Sequence, residues 1–65
     1  MKEKVVTVFV YKEDPFEAHI SVEGAECGVN EKNVRKIFFG YEKPARGVVV
    51  KFKLPNGEKK FVKGE

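Results

Sequence analysis

The chain has one cysteine, no tryptophan and no glutamine, and only one leucine, one serine and one threonine. A lone cysteine excludes an internal disulfide and points to a reducing compartment, so a cytoplasmic location is expected. One Cys and one His do not make a structural zinc site. With a single serine and no nucleophile elbow, the usual acyl-transfer constellation is missing. No apolar run approaches the roughly 20 residues that span a bilayer, so no membrane role is expected. The charged start Met1-Lys2-Glu3-Lys4 leads into an alternating segment, not into an apolar signal core. Sixty-five residues are read as a single domain, 1–65, with a marginal core and no room for a two-lobed substrate cleft. These absences lead us to expect no enzyme and no cofactor.

What is present favours sheet. Eleven valines stand against two isoleucines and one leucine, with six phenylalanines and two tyrosines. β-Branched and aromatic side chains pack well on pleated surfaces. Charged residues make up 35% of the chain and are mostly Lys and Glu, which is the trend of proteins from hot environments, so a thermophile source is expected. The net charge of +3 is mildly basic. Where the charges lie therefore decides more than their sum.

Lys4 to Lys12 is apolar on both faces, with Val6, Val8 and Val10 on one and Val5, Thr7, Phe9 and Tyr11 on the other. That suits a strand buried on both sides or crossing a small barrel. Pro15 punctuates the chain. Phe16 to Glu23 then alternates, with Phe16, Ala18, Ile20 and Val22 facing inward, and completes a hairpin. Gly24 to Gly28 reads as a loop. Residues 30–41 are open to two readings. As a helix, Asn30 is the N-cap, Val29 staples against Val34, and Val34, Ile37, Phe38 and Tyr41 form a stripe that stops at Gly40. As a strand, the Val, Ile, Phe and Tyr content fits better, and the strand is favoured. Gly47–Leu54 and Glu58–Lys63 are the fourth and fifth strands. Asn56-Gly57 between them signals a two-residue type I′ turn, and Gly64-Glu65 are expected to fray.

A two-residue turn pairs Phe52 with Phe61. Val48, Val50, Phe52, Leu54 and Phe61 then line the core, with Lys59 and Lys63 at its rim. The opposite face carries Val49, Lys51, Lys53, Lys60 and Val62. If residues 30–41 form a neighbouring strand, Lys36 and Phe38 join that face. Clustered lysines beside an aromatic suit a phosphate backbone and its bases. Lysine on an open sheet face is also ordinary solvation and edge protection. Lacking a base-reading pattern, such a patch implies little sequence specificity.

Other chemistry is thin. His19 lies on the polar face of the second strand, two residues from Ser21, and is read as a surface histidine. Cys27, flanked by a glycine, is a candidate exposed thiol. Gly24 to Gly28 lacks the spacing and the lysine of a phosphate loop.

Val34-Arg35-Lys36-Ile37-Phe38 is similar to a segment of the small archaeal chromatin proteins with SH3-like barrels. Thr7-Val8-Phe9-Val10-Tyr11-Lys12 resembles that family's opening strand, and Gly47-Val48-Val49-Val50-Lys51-Phe52-Lys53 a later one. The family has tryptophan where this chain has Phe38, and this chain has a longer connection between strands two and three. The resemblance implies a five-stranded barrel laid across the DNA minor groove. It makes Phe38 the wedge, with Lys36, Lys51, Lys53 and Lys60 around it. The expected fold is thus an all-β, five-stranded SH3-like barrel; the alternative is an α+β, ββαββ domain with a short helix at 30–39. The expected function is non-enzymatic binding of DNA or RNA through the lysine face. The rival is a protein-interaction or homo-oligomerisation module, such as a homodimer.

Overall fold

The computed structural model describes residues 3–64; Met1 and Lys2, part of the charged start, and Glu65 lie outside the described residues. The elements run β1 (Lys4–Glu13), β2 (Phe16–Ile20), α1 (Val22–Glu26), α2 (Val34–Phe38), β3 (Val48–Lys53) and β4 (Lys59–Lys63). The protein is small and mostly β, with one four-stranded sheet in the order β2-β1-β3-β4. β1–β2 and β3–β4 are antiparallel hairpins. The central strands β1 and β3 are parallel, with Lys4 beside Val48 and Phe9 beside Lys53. Parallel neighbours need a crossover. Residues 21–47, carrying both helices, provide it.

Both helices pack on one face of the sheet. The core joins Val6, Val8 and Val10 of β1 and Val48, Val50 and Phe52 of β3 to Val29, Val34, Ile37 and Phe38 of the crossover. Phe38 sits at its centre, its ring centroid 5.0 Å from Phe52, 5.4 Å from Phe16 and 4.9 Å from Phe39. Such tilted and edge-on pairs suit the aromatic quadrupole. Cys27 is buried against this cluster, which corrects the exposed-thiol reading.

The expected five-stranded barrel is corrected at its third segment. The sheet keeps two edges, β2 and β4, and does not close. Residues 34–38 are helical, and the physical reason lies at both ends of the segment. Asn30 Oδ1 accepts from the backbone N–H of Lys32 (2.9 Å) and Asn33 (3.2 Å), while Asn33 Oδ1 accepts from Asn30 N–H (2.9 Å). This reciprocal pair fixes the turn at 30–33 that leads into α2, whose own N-cap, Asn33, makes no side-chain cap hydrogen bond. At the other end Gly40 takes φ +85, Tyr41 N–H donates to Lys36 O and Gly40 N–H to Ile37 O. That is a Schellman stop, which glycine permits without a Cβ penalty. Burial of Val34, Ile37 and Phe38 on one helix face then outweighs their strand preference. Tyr41, expected in the same stripe, is exposed. The alternative ββαββ reading comes closer to the element order, although it lacks α1.

The second strand is also shorter than expected. It ends at Ile20, and Val22 is exposed on α1 instead of facing the core. Gly24 explains the early turn. It is buried, and a Cβ there would collide with Ile20 Cγ2 and crowd Val29 O and Val6 Cγ1. The missing side chain lets α1 lie directly against β1 and the end of β2. Ser21 Oγ is buried without a hydrogen-bond partner among the described residues. Gly64, expected to fray, is tied to β3: its N–H donates to Val48 O at 2.8 Å.

Candidate functional site

The β3–β4 turn decides which side chains share a face. Leu54 N–H donates to Glu58 O (2.8 Å) and Gly57 N–H to Leu54 O (3.0 Å). The loop therefore has three residues, Pro55-Asn56-Gly57, not two. A type I′ turn needs positive φ at both central positions. Gly57 has it, at +90, and Asn56 does not. Pro55 instead presets the first position of a type I turn, and Gly57 takes the left-handed position after it. Asn56 Oδ1 accepts from Glu58 N–H and steadies the turn.

This third loop residue slips the expected register by one. Lys51 pairs with Phe61, Phe52 with Lys60, and Val50 with Val62. A one-residue slip sends every β4 side chain to the opposite face. Phe61, Lys59 and Lys63 therefore point away from the core. Lys60 and Val62 turn toward the helices.

The face opposite the helices is thus an open sheet surface. It carries Val5, Thr7 and Phe9 from β1, His19 from β2, Val49, Lys51 and Lys53 from β3, and Lys59, Phe61 and Lys63 from β4. Phe9 is 40% exposed and Phe61 56%. Lys53 Nζ lies 5.0 Å from the centroid of the Phe9 ring, a cation–π contact. Beside Phe9, a shallow depression is lined by Tyr11, Lys53, Leu54, Pro55, Gly57 and Lys59. Lysines flank Phe61 on its own strand and across from it. The charge of Lys59, then burial, then the charge of Lys53 lower the Lys51 ammonium below its ordinary value of 10.5. Folding therefore crowds like charges here. That crowding weakens the fold while Lys51 is protonated, and the loss is relieved as pH rises through the lowered value.

Of the seven residues expected at the site, Val49, Lys51 and Lys53 lie on this face. Val49 is itself buried among its neighbours. The other four are corrected. Lys36 is exposed on α2, across the sheet, and Phe38 is core. Val62 and Lys60 face the helix side. Lys60 has a structural role: its Nζ donates to Phe38 O at 2.7 Å and lies 4.9 Å from the Phe38 ring centroid. A cation at the last carbonyls of a helix satisfies them and complements the dipole. Lys60→Met, which keeps the stem and loses the donor, is expected to lower stability by about 1 kcal/mol in a urea titration.

Sequence reasoning missed Phe9, Phe61, Lys59 and Lys63 as surface groups. The available signal was Pro55, because proline before Asn-Gly favours the three-residue loop. Among the described residues no group of three or more His, Cys, Asp or Glu is placed to hold a metal, and no helix is long and apolar enough to cross a membrane. No protein-family model, curated protein or solved structure matches the chain.

Proposed function

We propose that this protein binds nucleic acid, without catalysis, through the open face of its sheet. One observation carries the reading: Lys51, Lys53, Lys59 and Lys63 share an uncovered face with the exposed rings of Phe9 and Phe61. Crowded ammonium groups gain from a polyanion that releases its counterions on binding. The lowered Lys51 shows that the repulsion is already felt on this face. Nothing on the face reads base edges in a fixed pattern, so weak sequence preference follows. Minor-groove wedging by Phe38, implied by the resemblance to archaeal chromatin proteins, does not suit a ring that is 4% exposed.

Four phosphate-facing lysines set the size of the effect. The slope of log affinity against log salt is expected to be about −3. Titrating a labelled oligonucleotide at several salt concentrations measures it, and a flat response would refute the reading. Lys60→Met should leave this affinity unchanged, because Lys60 serves the helix end. The rival reading, self-association, has the exposed Val5, Phe9 and Phe61 in its favour. A homodimer through this face would bring two lysine patches together, and like charges at an interface oppose that. Sedimentation is expected to show a monomer.

A further inference from the structure

We infer that the open face takes single-stranded nucleic acid in preference to duplex, with one base stacked on Phe9 and another on Phe61; this rests on the nucleic-acid reading above. The two rings stand on β1 and β4, with β3 between them. Phe9 shares a row with Lys53 and Lys59, and Phe61 shares the next row with Lys51. On the strand grid their Cα atoms are about 12 Å apart. Bases stacked in a duplex repeat every ~3.4 Å along each strand and turn their faces to one another. They offer these rings nothing to stack on. An unpaired strand can splay two bases to reach both.

The diagonal from Phe9 to Phe61 crosses β3 between Lys53 and Lys51. The linking phosphates therefore lie over the Lys51 and Lys53 ammonium groups. At the Phe9 end, Pro55 and Gly57 are among the residues that line the depression beside the ring, and a stacked base has a place to lie. The Lys53 ammonium now rests on the Phe9 ring. An arriving base displaces it, and the freed ammonium meets the adjacent phosphate. Every nucleobase has a π-face, so this mode is sequence-tolerant.

The test compares a short oligothymidylate with a duplex of the same length at low salt, by fluorescence anisotropy. It uses wild type, Phe9→Leu and Phe61→Leu. Leucine keeps an apolar group at sites that are already partly exposed, and thermal melts check that both variants fold. The single strand is expected to bind at least roughly tenfold tighter than the duplex. Each leucine variant should lose roughly five- to hundredfold on the single strand and almost nothing on the duplex. As a second readout, proton resonances of the Phe9 and Phe61 rings should move upfield as oligothymidylate is added to wild type. Equal affinity for both forms, with no leucine effect and unmoved rings, overturns the inference and leaves the lysine reading standing. Binding to neither form removes both.

Discussion

Reversing Lys51 and Lys53 together to glutamate is expected to cut affinity for nucleic acid roughly hundredfold or more at low salt, and to bring the salt slope from about −3 toward zero. The two side chains are neighbours on the open face of β3, paired with Phe61 and Lys59 of β4. On the proposed reading, glutamates there repel the phosphate backbone that lysines would attract. The matching Lys→Gln pair removes attraction without adding repulsion, and its loss should be roughly tenfold. The fold should survive both changes. Lys51 is held below its ordinary value by Lys59, by desolvation and by Lys53, so removing positive charge relieves part of that strain in the native state. An unfolding titration beside the binding titration separates the two effects. A reversed variant that binds as tightly as wild type would place the ligand elsewhere on the molecule.

The largest effect on stability is expected at Phe52. Its side chain is fully buried, edge-on to Phe38, in the layer between sheet and α2. Phe52→Ala leaves a cavity that the closely packed neighbours cannot fill, at a cost of about 3–5 kcal/mol. A chain of this length has a total stability of roughly 3–10 kcal/mol. Most of the variant should therefore be unfolded or loosely packed at room temperature, with loss of near-ultraviolet dichroism and a collapsed denaturation midpoint. Phe61→Ala makes the contrast. Phe61 is more than half exposed on the other face, and its truncation should cost less than ~1 kcal/mol. The two-residue turn expected from the sequence would have paired these phenylalanines in one core. Equal destabilisation by the two alanine variants would restore that register and contradict the structure.

The four strand segments were legible in the sequence because alternation of Val, Phe and Lys survives any choice of partner. The inner residues Val48, Val50 and Phe52 follow directly from it, whereas β1 is apolar on both faces and its pattern alone does not choose Val6, Val8 and Val10 over Val5, Phe9 and Tyr11. The site was legible only in part, because one loop residue stands between the pattern and the surface. Asn56-Gly57 fits two turn lengths, and the hydrophobic pattern of Lys59–Lys63 is too weak to choose between them. Phe61 and Val62 are adjacent, so either can face inward. The length of the turn and the better fit of Lys60 at the end of α2 choose Val62. The helix at 34–38 was hidden for a different reason. Its residues favour strand one by one, while the turn-forming side chains of Asn30 and Asn33, the Gly40 stop and the shared burial of three side chains act only together. α1 gave little signal at all. It exists because Gly24 allows a close approach, and closeness is a property of the assembled molecule.

The parallel pairing of β1 with β3 has a consequence for how the proposed ligand surface comes into being. Each hairpin closes over a short loop, whereas Lys4 meets Val48 only after most of the chain is in place. Closing distant segments costs more entropy and is slow, so on topology alone the two hairpins form early and dock late. Phe9 belongs to the first hairpin, and Phe61 with its four lysines to the second. Neither half alone is the surface. A strand of nucleic acid that touches both rings bridges this seam, binds only the docked state and raises its stability in proportion to ligand concentration. Affinity and folding are then coupled through a single joint, and conditions that loosen the β1–β3 pairing should weaken binding before the hairpins themselves melt.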